Sequence, residues 1–268
     1  MSDPSHPAAA TAVDPAPFLA ALGPDALLAD DALHPFAVDG LLPQLALQPS
    51  TADSLAAALA LADRAELAVI LHGGGSSLHV GRPPERYDLA LDTRRLDRLI
   101  AYEPDDLTVT LETGMTVARL QALLAQRGQF LPFDVPFPTR ATVGGALAAA
   151  RSGPRRARFG GPRDWLIGCR VALPDGTLIR SGGRVVKNVS GYDLCKLFVG
   201  SFGTLGAIVE ASFKLRPLPT ADATLIFPAP DFDRALALAR EIAATVNALH
   251  AVVALDNKIG RASCRERV

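Results

Sequence analysis

Hydrophobic positions recur along the chain with two periods. Leu45 to Gln48 is a short apolar run closed by Pro49 and reads as a strand. Ser50-Thr51-Ala52-Asp53 has capping-box spacing, with Ser50 as N-cap and Asp53 three residues on. Leu55, Leu59 and Ala62 then return at helical spacing with Ala58 beside them, which predicts a helix over 51–65 with one buried face. Strands are expected at 67–71, 87–93 and 107–112; Thr108-Val109-Thr110 has the β-branched side chains and alternation that favour an extended backbone. Val117, Leu120, Leu123 and Leu124 form a second helical stripe, capped by Thr116 and stopped by Gly128. Ala146 to Ala150 is an alanine-rich helical run. Arg170–Leu173 and Thr177–Arg180 flank the turn Pro174-Asp175-Gly176 as a hairpin. A helix over 192–199 and a strand over 207–215 follow. Thr224 to Phe227 reads as a further strand. Phe232 to Val246 reads as an amphipathic helix with Leu236, Ala239, Ala243 and Val246 inward. Helices interleaved with strands in this way give an α/β (α+β) chain.

Composition sets outer limits. The 268 residues are 49% hydrophobic and 21% charged, enough apolar material for one large domain or two smaller ones. A formal net charge of −1 offers no argument for nucleic acid or an anionic membrane as partner. Cys169, Cys195 and Cys264 match neither zinc spacing nor a disulfide framework, so a reducing, cytoplasmic setting is the expectation. No apolar run approaches the roughly 20 residues that span a bilayer. Residues 1–40 read as a leader, disordered in its Ala- and Pro-rich start. Residues 220–257 read as the opening of a domain that does not complete itself, and 258–268 as a non-native tail of abruptly different composition.

Candidate chemistry lies in three glycine stretches. His72-Gly73-Gly74-Gly75-Ser76-Ser77 follows a strand, so its backbone amides can form a nest for an anion such as phosphate, or it can be a flexible loop. It is neither a Walker A loop nor a Gly-x-Gly-x-x-Gly fingerprint. Thr142-Val143-Gly144-Gly145 opens a helix, where free amides and the dipole favour phosphate, unless the glycines serve close packing alone. Arg151, Arg155, Arg156 and Arg158 follow, either as a solvated face or as charge that steers an anion. Gly203-Thr204-Leu205-Gly206 is the third stretch. No histidine array suggests a metal and no Cys–His or Gly-x-Ser-x-Gly arrangement suggests a nucleophile; His72 and His79, flanking the first loop, are the histidines to test.

In this order and spacing the stretches resemble the FAD-binding domain of the vanillyl-alcohol oxidase and p-cresol methylhydroxylase type, over about 41–219. The motifs that carry the resemblance are His72 to Ser77, Thr142 to Gly145, Pro174 to Gly176 and Gly203 to Ile208. The resemblance implies two packed subdomains with FAD between them, followed by a substrate-side cap begun at 220–257. It implies that His72, Gly73, Gly74, Gly75, Ser76, Ser77, Thr142, Gly144 and Gly145 hold the pyrophosphate. Ala149, Arg151, Ser152, Gly153, Gly203, Thr204, Gly206 and Ile208 would wrap the rest of the nucleotide. Gly75 stands where flavin-linking relatives carry His, so non-covalent FAD is expected. Pro132-Phe133-Asp134, Ser152 to Arg156, Arg163-Asp164, Gly183 to Asp193 and Leu197 to Ser201 resemble the smaller FAD-binding subunit of bacterial glycolate oxidases. That likeness implies oxidation of a small 2-hydroxy acid, glycolate to glyoxylate, beside a second flavin subunit and an iron–sulfur subunit, in the cytoplasm or at the inner face of the membrane through those partners. It leaves open a non-catalytic electron-relay role, or a stand-alone FAD oxidoreductase on another alcohol. It assigns no catalytic residue.

Overall fold

The structure, a computed structural model, describes residues 12–183, 193–246 and 251–254. In chain order its elements are α1 (Ala16–Leu22), β1 (Leu45–Leu47), α2 (Ala52–Arg64), β2 (Val69–His72), β3 (Leu89–Asp92), β4 (Leu99–Glu103) and β5 (Thr108–Glu112). Then come α3 (Val117–Ala125), β6 (Gln129–Phe130), α4 (Val143–Ala148), α5 (Arg156–Phe159), α6 (Pro162–Trp165), β7 (Leu166–Ala172) and β8 (Leu178–Gly182). The last are α7 (Cys195–Phe198), β9 (Ala207–Lys214), β10 (Arg216–Pro217) and α8 (Phe232–Thr245).

The described strands form two main sheets and one antiparallel pair, β10 with β6. β1, β3 and β2 form a parallel sheet in that order, with Leu89 opposite both Leu45 and Val69. β4, β5, β9, β7 and β8 form an antiparallel sheet. Helix α2 crosses from β1 to β2. Leu55, Ala58, Leu59 and Ala62 pack with Leu47, Leu89 and Leu91 of the small sheet and with Ala172, Ala207 and Val209 of the large one. Each fully buried leucine there contributes about 1.5–3 kcal/mol. A second core joins Val109, Leu111, Ala211 and Phe213 to Leu120 and Leu124 of α3 and to Val143 and Leu147 of α4. β9 therefore supplies both cores and holds the two sheets at a fixed spacing.

The structure departs from the sequence expectations at several points. The N-cap of α2 is Thr51: its side chain accepts from Ser54 N–H, and Ser54 returns the bond to Thr51 N–H. Thr51 has the extended dihedrals an N-cap needs, φ −137° and ψ 157°. Within the expected leader, the described part is anchored to the fold: Phe18, Phe36 and Val38 are buried and α1 packs on α2. The edge strand β4 was not expected; its solvent-facing Leu99 and Ile100 hide its alternation. No strand forms at 224–227, where Leu225, Ile226 and Phe227 are exposed, since an extended run without a neighbouring strand has no partner for its backbone. Helix α8 has no buried residue, and Ala243 and Val246 of its expected inward stripe are exposed. Residues 184–192 and 258–268, with the motif and tail read there, lie outside the described residues.

Candidate functional site

The first glycine loop leaves the C-terminal end of β2 in the parallel sheet, the end at which ligands of α/β folds collect. Gly75 takes φ +67°, a left-handed turn that a glycine enters without strain. Among the described residues, no hydrogen bond is donated by the backbone N–H of Gly73, Gly74, Gly75, Ser76 or Ser77. Five successive amides without a partner, with a left-handed glycine among them, are available to an anion.

The other glycine stretches close on this loop. A Cβ on Gly74 would overlap the carbonyl of Arg140, and one on Gly73 would overlap the Thr142 hydroxyl. The Arg140 guanidinium also donates to Gly74 O at 3.4 Å. A Cβ on Gly203 would lie 2.9 Å from Leu71 Cδ1, so the third stretch meets the strand that leads into the loop. Gly200 N–H and Phe202 N–H donate to Leu147 O and Ala148 O at 3.0 and 2.8 Å, tying that stretch to α4. Sequence positions some 130 residues apart are thus brought together around β2 and the loop that leaves it.

Helix α4 contributes differently from its sequence reading. Thr142 caps it, and Gly144 and Gly145 lie inside its first turn. Its leading amides are spent within the protein: Val143 N–H on Met115 O, Gly144 N–H on Thr113 O and Gly145 N–H on Thr142 Oγ1. Gly144 is small because a Cβ there would lie 2.8 Å from Thr113 Oγ1. Thr113 is a hub that the sequence did not reveal. It is buried, its hydroxyl donates to Ile208 O at 2.5 Å, and its own N–H donates to Val209 O. Ile208 itself is a core side chain of β9. Ala149, Arg151, Ser152 and Gly153 follow α4 at half-exposed positions, and Thr204 closes a turn on Ser201 O. Gly206 takes φ +149° against Ala172 O.

His72 lies beneath the loop, 6% exposed, with its ring edge on Phe36 at 4.7 Å between centroids. Its Nδ1 is buried and lacks a hydrogen-bond partner. Burial holds its pKa below the usual histidine value, opposing the pull of Asp92, so the ring is neutral at pH 7. A cavity of about 230 Å³ opens beside it, lined by Val38, His72, Gly75, Leu78, His79 and Arg140. Arg140 was not singled out in the sequence, although it stands two residues before Thr142; only the docking of the two loops brings its charge to the nest. Open amides, a left-handed glycine and a nearby guanidinium fit the diphosphate of a dinucleotide such as FAD. Among the described residues there is no metal-binding cluster and no helix long and apolar enough to cross a membrane.

Comparison with known proteins agrees with this geometry. The family profile described as "FAD binding domain" matches residues 43–182. The chain is 38% identical over 167 residues to glycolate oxidase subunit GlcE of Escherichia coli, covering 62% of this chain and 47% of that protein. It is 32% identical over 186 residues to glycolate oxidase subunit GlcD of Bacillus subtilis, covering 69% and 40%. A solved alkyldihydroxyacetonephosphate synthase superposes with a TM-score of 0.59 at 27% identity, over 68% of this chain and 33% of that one. The chain thus spans less than half the length of these relatives. It belongs to the FAD-binding-domain family, with FAD as its cofactor.

Proposed function

We propose that this chain is the FAD-carrying part of an oxidoreductase that converts a 2-hydroxy acid, with glycolate as first candidate, to the 2-oxo acid. It would work beside a second flavin subunit and an iron–sulfur subunit. The observation that carries the reading is the row of open amides from Gly73 to Ser77, packed against Arg140 and Thr142, with Gly203 of the third stretch on Leu71 just ahead of the loop. The glycolate oxidase subunits among its relatives support the substrate class. When bound, FAD supplies a two-electron acceptor at its ring. The chain's own part is to hold the phosphates on the loop amides and Arg140, to fix the loop through Gly74 and Thr142, and to present the flavin along α4 and Gly203–Gly206. The resemblance that puts Gly75 where flavin-linking relatives carry His supports non-covalent FAD. Acid precipitation of the yellow protein should release all flavin to the supernatant. Anaerobic glycolate should bleach the flavin of the assembled subunits and leave this chain's flavin oxidised when it is alone. Colour left in the pellet would refute the non-covalent site; a full complex that glycolate never bleaches would refute the substrate.

A further inference from the structure

Away from the glycine loops, two thiols meet on the large sheet. Cys169 on β7 is the direct cross-strand partner of Ser181 on β8. Cys195 opens α7, and its Sγ donates to the carbonyl of that same Ser181 at 3.2 Å. Both are free, buried and members of one apolar cluster. Each is the largest influence on the other's proton: Cys169 draws the Cys195 thiol down, while Cys195 and burial push Cys169 above the usual thiol value. Both side chains bear on Ser181, so loss of the Cys195 proton places a thiolate in the same buried site as the Cys169 thiol. A cavity of about 80 Å³, lined by Cys169, Arg170, Ser181 and Gly182, opens on the Cys169 side of the pair and is the approach for a small oxidant.

We infer that Cys169 and Cys195 form an oxidation-sensitive dithiol, closed to a disulfide by a hydroperoxide. The Cys195 thiolate attacks the O–O bond; an S–O bond forms, and the leaving oxygen takes a proton and departs as water or alcohol. The Cys169 sulfur then attacks the sulfenic sulfur, an S–S bond forms, the S–O bond breaks, and water leaves. The two sulfurs give up two electrons, the peroxide gains them, and both thiol protons end in the products. The closed form pins α7 to β7. Because α7 leads straight to Gly200 and Phe202, which bond to α4, the bridge stiffens the approach to the third glycine stretch.

The test uses the FAD-loaded full chain carrying Cys264→Ser, so that only the two inferred thiols remain. After stoichiometric hydrogen peroxide, the denatured protein is alkylated and mapped by mass spectrometry. The expected result is loss of both alkylation sites and a linked peptide containing Cys169 and Cys195, reversed by a thiol reductant. In a second variant that also carries Cys169→Ser, oxidation should stop at a dimedone-reactive sulfenic acid on Cys195. Full alkylation of both cysteines after peroxide, oxidation of Cys195 to the sulfinic acid without a linked peptide, or disulfides only between chains would overturn the inference.

Discussion

Replacing Gly74 by alanine tests how the loop is held. A methyl group there would overlap the carbonyl of Arg140, a backbone atom that cannot rotate aside, so one of the two segments must move. Forcing one extra carbon into a closed contact costs about 1–3 kcal/mol. The larger effect falls on FAD. If the displaced loop forfeits two of its amide bonds to the diphosphate, at about 1.5–3 kcal/mol each for bonds to a charged group, binding weakens by about 3–6 kcal/mol, or roughly two to four orders of magnitude in Kd. Gly145→Ala is the control. Its Cβ would meet only Thr142 Oγ1, at 3.2 Å, and it lies in a helical turn where alanine is favoured by up to about 1 kcal/mol. The assay pairs thermal unfolding of the flavin-free protein with titration by FAD, followed by quenching of flavin fluorescence. Gly74→Ala should lose stability and lose FAD binding; Gly145→Ala should keep its melting temperature. A Gly74→Ala protein with native melting and native FAD affinity would show that the contact with Arg140 does not position the loop.

Three further outcomes follow from the same structure. Thr51→Ala should cost about 1 kcal/mol in urea unfolding, through loss of the α2 capping box, whereas Ser50→Ala should change little. Asp92→Ala should cost about 3 kcal/mol, the lower end for breaking a buried pair. It strips Gln48 and Arg94 of a carboxylate with no exposure, although Arg94 itself is half-exposed and can rehydrate. His72 has a folded pKa below its unfolded value of 6.5, so the native state binds fewer protons between the two. Its contribution is complete above pH 6.5 and is lost as pH falls through the folded pKa. His72→Gln should flatten the decline of the urea midpoint below pH 6.5, and an unchanged slope would place the imidazole in solvent.

Much of this protein is determined by local sequence. The stripe Leu55–Leu59–Ala62, the runs at 45–47 and 69–72, and the Pro174-Asp175-Gly176 turn each specify an element through period and turn chemistry, whatever surrounds them. The three glycine stretches were legible for the same reason: a run without Cβ atoms is a feature of the chain itself. Tertiary structure decided everything that depends on what a residue meets. Thr51 won the cap from Ser50 because Ser54 could return its bond. The 224–227 run stayed unpaired because strand propensity needs a second strand to complete its hydrogen bonds. Phe18, Phe36 and Val38 joined the cores through long-range contacts that no window of sequence contains. At the site the division is sharpest. The amides of Gly144 and Gly145 looked open from sequence, yet Thr113 and Thr142 consume them, whereas those of Gly73 to Ser77 find no acceptor among the described residues even though Gly73 and Gly74 pack on the Thr142 hydroxyl and the Arg140 carbonyl. A backbone donor carries no mark in the sequence of whether it is satisfied; that is settled by the partner folding brings to within about 3 Å.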